Sequence, residues 1–318
     1  MVKVGYIMSS EEHGPNELVR HAAAAEDAGF TTAWISDHYH PWVHPQGHSP
    51  FVWSVLGGIA HATETLRVGT GVTCPTIRIH PAVIAQAAAT TAVMLPGRFF
   101  LGVGSGENLN EHILGDRWPP APVRLEMLEE AVAVMRLLWQ GGQQTHYGTH
   151  YTVENARIYD LPEDPIPVYV SAFGPKALEV AARIGDGYVG TSPEPDLVEA
   201  FRSKAGDDKP RIGEMKCCWG DDEAACRTLA HKLWPNIGLP GQLAQDLATP
   251  ALFEQATQLV TEDMVAGPIP CGDDPEQYAT SIRQYADAGY DEVFIHNIGE
   301  DQTGFVAFFR DEVRPLLD

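Results

Sequence analysis

The chain has 318 residues, 44% of them hydrophobic, and carries a formal net charge of −22 from 43 acidic and 21 basic side chains. A chain of this length buries a large core without a disulfide or metal staple. Its acidic balance excludes nucleic acid and anionic membrane surfaces as natural partners, because both need a basic face.

Short β-rich runs alternate with helical patterns. KVGYIM (3–8) reads as a strand, and PNELVRHAAAAEDAG (15–29) as a helix opened by Pro15 and closed by Gly29. TAWIS (32–36) is the next strand, followed by a helix over 51–64 and the strand LRVGTGV (66–72). A helix over 81–95 begins at Pro81, RFFLGVG (98–104) is strand four, and RLEMLEEAVAVMRLLW marks an amphipathic helix over about 123–140. TVENARIYDLPEDP reads as irregular or a hairpin, and VYVSA (168–172) restores the rhythm. A helix over 175–185, GYVG (187–190), a helix near 195–204, the strand IGEMKCCW (212–219) and a helix from 221 to 233 follow. Residues 234–270, broken by Pro and Gly, read as an insertion. A helix over 274–289, the strand EVFIHNI (292–298) and a terminal helix close the chain.

These are eight strand–helix units, and the strands are mostly continuous apolar runs, as suits a parallel sheet buried on both faces. The expected fold is a (β/α)8 TIM barrel formed by residues 1–318 as a single domain, with an open doubly wound sheet as the alternative. The five cysteines, Cys74, Cys217, Cys218, Cys226 and Cys271, show no C-x-x-C spacing. With no signal-peptide pattern and no apolar run of spanning length, a reduced, cytoplasmic protein is expected.

In such a barrel the chemistry sits after the strand C-termini. There the chain places Asp37, His38, His40 and Trp42, then Gly71, Val72 and Cys74, then Ser105, Gly106, Glu107 and Asn110. Ser171, Ala172, Phe173 and Gly174, then Thr191, and finally His296 complete the set. His38 and His40 form an H-x-H pair, but too few further ligands stand at strand ends for a metal centre, and no metal is expected. GVGSGENLNE lacks the spacing of a dinucleotide fingerprint, and suits close approach of backbone to a planar ring. Gly174-Pro175-Lys176 opens a helix with free N–H groups and can accept a phosphate.

Several segments together carry a resemblance: Asp37-His38-x-x-Pro41-Trp42, GHSPF at 47–51, GVTCPTIRIHPAVIAQA at 71–87 and FFLGVGSGENLNE at 99–111. The chain resembles the coenzyme F420-dependent luciferase-like oxidoreductases, and within them the glucose-6-phosphate dehydrogenase branch. The resemblance implies a luciferase-like (β/α) barrel, usually a homodimer, with a non-proline cis peptide at Gly71-Val72. It implies that His38 acts on the substrate hydroxyl proton, that Glu107 sits by the deazaflavin ring nitrogen and that Trp42 packs in the pocket. Asp37, Cys74, Ser105, Gly106, Asn110, Phe173 and Gly174 would line coenzyme F420, with Cys74 where a Thr is usual. Position at the strand ends adds Gly71, Val72, Ser171, Ala172 and Thr191 to that set, and Lys176 would hold the phosphate tail.

The sugar-phosphate branch holds its substrate phosphate with two lysines and an arginine. Its Thr-Ser-Gly-Lys segment corresponds to Thr191-Ser192-Pro193-Glu194, and no Lys or Arg occurs from Leu233 to Ile282, where the other two anchors fall. The expectation is therefore an F420-dependent oxidoreductase acting on a non-phosphorylated small molecule: an alcohol, a hemiacetal or the matching carbonyl. The alternatives are a reductase of activated C=C or C=N bonds, a metal-dependent hydrolase, a flavin monooxygenase and a non-catalytic deazaflavin-binding protein.

Overall fold

The computed structural model describes residues 2–317. Eight parallel strands close a barrel: β1 (Lys3–Met8), β2 (Thr32–Ile35), β3 (Arg67–Thr70), β4 (Phe99–Val103), β7 (Val168–Ser171), β8 (Gly187–Gly190), β9 (Arg211–Cys217) and β10 (Glu292–Asn297). β1 pairs with both β2 and β10, which completes the ring. The remaining strands, β5 (Gln144–Tyr147) and β6 (Thr152–Ala156), form an antiparallel hairpin outside it. β5 is polar and alternately exposed, so it lacks the apolar run that marks the barrel strands.

The connecting helices are α1 (Pro15–Asp27), α2 (Val52–Ala62), α3 (Pro81–Met94), the short α4 (Asn108–Glu111), α5 (Ala121–Trp139), α6 (Pro175–Ile184), α7 (Pro195–Ala205) and α8 (Glu223–Leu233). α8 starts two residues later than the sequence pattern suggests. The Asp222 carboxylate accepts from the N–H groups of Ala224 and Ala225 and so acts as the N-cap. The insertion folds into α9 (Leu243–Asp246), α10 (Pro250–Ala256) and α11 (Glu262–Ala266) before α12 (Pro275–Asp287), and α13 (Gln302–Phe308) follows β10. A small apolar cluster including Trp234, Val260, Val265, Cys218 and Ile298 roots the insertion on the barrel. None of the described helices is long and apolar enough to cross a membrane.

Inside the barrel, Ile7, Trp34, Phe100, Tyr169, Val189, Ile212 and Phe294 form a separate buried cluster. Trp34 stacks on Phe294 with ring centroids 4.4 Å apart, and Phe100 and Tyr169 pack at 5.2 Å. This layer plugs the bore and forms the floor of everything above it. It is admitted by small neighbours, since a Cβ on Gly69 would lie 2.3 Å from the Phe100 ring. Gly69→Ala is therefore expected to overpack the plug and lower stability by about 1–3 kcal/mol. Denaturant unfolding checks this, and an unchanged midpoint would contradict the packing described.

Candidate active site

A cavity of about 1160 Å³ opens above the plug, at the C-terminal ends of the barrel strands. Of the residues singled out from the sequence, His38, Trp42, Gly71, Val72, Ser105, Gly106 and Glu107 line it on one side. Ser171, Ala172, Phe173, Gly174, Lys176 and Thr191 line the adjoining part, after β7 and β8. The peptide Gly71–Val72 is cis. The insertion contributes an apolar and amide-bearing wall that includes Asn236, Ile237, Gln242, Ala244, Gln245 and Ile269.

His38 hangs from the loop after β2. Its Nδ1 lies 3.2 Å from the His40 carbonyl, which can only accept, so Nδ1 carries the hydrogen. In the neutral ring Nε2 is then the free base. It faces Glu11 Oε1 at 3.5 Å, placed to stabilise an imidazolium. Glu11 is buried and held by the Ser9 and Ser36 hydroxyls at 3.0 and 2.6 Å. The Trp42 ring packs 5.0 Å from His38 and edge-on to Phe253 of the insertion at 5.2 Å. The H-x-H pair splits apart: His40 Nδ1 donates to the Leu109 carbonyl at 2.9 Å, away from His38 Nε2. Among the described residues, no three His, Cys, Asp or Glu side chains are grouped to hold a metal ion.

Asp37, Cys74 and Asn110 do not line the cavity but sit behind the loops that do. Asn110 Oδ1 accepts from the N–H groups of Tyr39 and His40 at 2.9 and 3.2 Å, and its Nδ2 donates to Glu107 at 3.4 Å, joining the loops after β2 and β4. Asp37 accepts from Thr73 and pairs with Arg78, both at 2.9 Å. Cys74 packs on Thr76 with Sγ and Oγ1 3.0 Å apart. Burial, then the charge of Glu111, pushes its thiol well above the usual range. Arg78 spends its Nη2 on Asp37 and stands 3.6 Å from Glu111 Oε1, which is left buried without a hydrogen bond. Burial thus pushes the Glu111 carboxyl up to about 7, against the opposing effect of Arg78.

A second histidine–carboxylate pair occupies the other flank of the cavity. His296 of β10 donates from Nε2 to Glu12 at 2.8 Å, and the same carboxylate accepts from Trp234 Nε1 at 2.7 Å and the Gly299 N–H at 2.9 Å. Burial alone would raise Glu12, but these hydrogen bonds and the field of His296 hold it below the usual carboxylate range. Lys216 of β9 pairs with Glu214 and lies 4.9 Å from the Trp234 ring centre. The strand-end position of His296 is visible in the sequence. Glu11 and Glu12 are hidden in the polar run SSEEHG, and Glu214 and Lys216 in a strand that reads as largely apolar.

The wall near the strand ends suits a flat ring with an anionic tail. A Cβ at Gly104 would lie 2.8 Å from Val72 Cγ2, and one at Gly106, whose φ is +78°, would lie 2.5 Å from Cys74 Sγ, so bare backbone is presented at these two positions. Gly174 caps α6 without a side-chain partner, with Pro175 and Lys176 in the first turn, leaving N–H groups and an ammonium for an anion. Across the mouth, Arg124 donates to the Pro119 carbonyl and to Gln245 at 2.7 and 2.8 Å, while Trp118 and Asn108 donate to Asp246 at 3.0 and 2.9 Å. The insertion is thereby tied to the segment after β4.

A closed parallel barrel with its cavity at the C-terminal strand ends has the architecture of the TIM-barrel enzymes. The family model described as luciferase-like monooxygenase matches residues 2–292, and the chain belongs to that family. Within it, the chain is 37% identical over 99% of its length to an F420-dependent glucose-6-phosphate dehydrogenase of Microbacterium testaceum, covering 97% of that protein. It is 36% identical to one from Mycolicibacterium gilvum, covering 98% of that protein. Among solved structures, an F420-dependent secondary alcohol dehydrogenase in complex with an F420-acetone adduct aligns with a TM-score of 0.92 and 29% identity, over all of this chain and 99% of that one. The coenzyme F420-dependent tetrahydromethanopterin reductase of Methanopyrus kandleri shares the fold, with a TM-score of 0.80 at 22% identity over all of this chain and 99% of that one.

The buried Glu111 has a measurable consequence. The folded state holds its proton more tightly than the unfolded chain, so its contribution to stability is complete below about pH 4.5 and is lost as pH rises through about 7. Glu111→Gln is expected to flatten the fall in stability across that window, which unfolding at stepped pH checks.

Proposed function

We propose that this chain is an F420-dependent oxidoreductase that interconverts a neutral, non-phosphorylated alcohol or hemiacetal and its carbonyl. The observation that carries this reading is the setting of His38: Nδ1 is spent on the His40 carbonyl, and Nε2, which makes no hydrogen bond among the described residues, faces the buried Glu11 carboxylate at 3.5 Å. When bound, the coenzyme supplies hydride chemistry at a deazaflavin ring carbon. The backbone at Gly71–Val72 and Gly104–Gly106 would cradle its ring, and the α6 start with Lys176 would hold its anionic tail. Removal of hydride from an alcohol carbon requires that the hydroxyl proton leave as well. His38 Nε2 takes that proton, Glu11 stabilises the resulting imidazolium, and the same group returns the proton in the reductive direction. Glu107, held by Asn110, handles the proton on the coenzyme side. Trp42 closes the pocket against water.

Substrate charge follows from the wall. Glu194 is exposed and accepts from its neighbour Ser192 at 2.7 Å, and the insertion adds amides and apolar groups but no cation. Of the cations that do line the cavity, Lys216 is paired with Glu214, and Arg124 donates to Pro119 and Gln245. Lys176 is assigned to the coenzyme tail. No free guanidinium fork remains for a phosphate dianion.

Three outcomes are expected. In side-by-side titrations F420 binds tightly and FMN weakly; equal or tighter FMN binding would overturn the coenzyme assignment. His38→Ala lowers kcat by about 10²–10⁴-fold with coenzyme affinity nearly intact, and wild-type turnover would remove His38 from the reaction. In a substrate panel, neutral alcohols and sugars exceed their phosphorylated counterparts in kcat/KM, and the reverse order would refute the neutral-substrate reading.

A further inference from the structure

We propose that His296 and Lys216 form a second hydroxyl-binding subsite, which selects a cyclic polyol over a simple monohydric alcohol; this rests on the reading of the site as an alcohol-oxidising one. His296 is 2% exposed yet lines the cavity. Its Nε2 is engaged by Glu12, and among the described residues Nδ1 makes no hydrogen bond and is not one of the sealed, unpartnered polar atoms. Nδ1 is therefore the ring nitrogen left for the cavity. The carboxylate of Glu12 only accepts, so Nε2 keeps its hydrogen and Nδ1 is an acceptor in the neutral ring.

Lys216 stands beside it. The two residues are register partners on the adjacent strands β10 and β9, and both line the cavity. The Lys216 ammonium has three donors, of which Glu214 takes one and the Trp234 face attracts the charge. An acceptor and a donor thus lie side by side on one wall. A hydroxyl satisfies both, because it donates and accepts at once. A carboxylate or phosphate would suit Lys216 but would repel the lone pair of Nδ1 and the neighbouring Glu214.

The placement relative to the reacting hydroxyl is set by the chain itself. His38 faces Glu11 at 3.5 Å and His296 bonds Glu12 at 2.8 Å, so the two imidazoles stand against carboxylates on consecutive residues. They present opposite ring nitrogens, Nε2 from His38 and Nδ1 from His296. A substrate that meets both carries two hydroxyls, and the rings of Trp42 and Trp234, which also line the cavity, offer apolar faces to its C–H surface.

The test uses trans-1,2-cyclohexanediol and cyclohexanol with F420 as coenzyme, and calorimetric titration of both into the coenzyme-free protein. The wild-type protein is expected to prefer the diol by about tenfold in kcat/KM, the worth of one good hydrogen bond. His296→Leu should bring that ratio to within about twofold, and His296→Asn, which sets an amide oxygen near the position of Nδ1, should restore part of it. Lys216→Met combined with Glu214→Gln removes both charges together and should lower the ratio without touching the imidazole. Glu12→Gln, which weakens the hold on the rings of both His296 and Trp234, should raise KM for the diol more than it lowers kcat. A wild-type ratio near one, or a ratio unmoved in all these variants, would overturn the subsite. Tighter calorimetric binding of the diol than of cyclohexanol, without turnover of either, would support the subsite and overturn the proposed reaction instead.

Discussion

The stacking of Trp34 on Phe294 across the bore is the contact on which the rest of this molecule depends. It blocks the barrel from below, so that the strand ends above it become the walls of a chamber instead of a channel. Inward-facing positions recur every second residue along a strand. The groups of the site therefore stand two and four residues beyond the plug. Trp34 leads to Ser36 and His38, Ile7 to Ser9 and Glu11, Ile212 to Glu214 and Lys216, and Phe294 to His296. The chemistry inherits its placement from a hydrophobic layer, and a one-residue slip of any of these strands would turn its polar groups out of the chamber.

The polar half of the chamber is organised by two adjoining carboxylates. Glu11 and Glu12 follow β1, whose neighbours in the ring are β2 and β10. One carboxylate serves the histidine beyond β2 and the other the histidine of β10. A single turn of backbone thus sets two imidazoles, and each finds its partner across the hydrogen-bonded seam on its own side. Buried carboxylates of this kind persist only when their hydrogen bonds are filled. Ser9 and Ser36 do this for Glu11, and Trp234 and the Gly299 N–H for Glu12.

The barrel is legible in the sequence because parallel strands buried on both faces leave continuous apolar runs; seven of its eight strands fall within a run read that way, and β9 begins one residue before its run, at Arg211. β5 is not legible, since QTHY is polar and pairs only with β6. On the site, the loops after β2, β3 and β4 carry a dense family resemblance, and residues such as His38, Trp42 and Glu107 stand in those segments. Glu12 reaches a partner 284 residues away, and nothing in its immediate neighbours distinguishes it from a solvated surface acid. Lys216 escapes attention for the opposite reason: its neighbours are apolar, and its ion pair with Glu214 lies within one strand. The absence of cations from Leu233 to Ile282 describes one wall, but Arg124 and Lys216 reach the cavity from elsewhere.

The insertion between α8 and α12 divides the labour within the chamber. It supplies a whole wall, yet His38, Glu11 and Glu107 all lie in the segments following β1, β2 and β4. Exchange of wall residues such as Ala244, Gln245 or Ile269 reshapes the space open to a substrate while the reacting centre keeps its supports. A change confined to this short stretch of chain would therefore alter the shape of the chamber and leave the opposite face standing on its own supports.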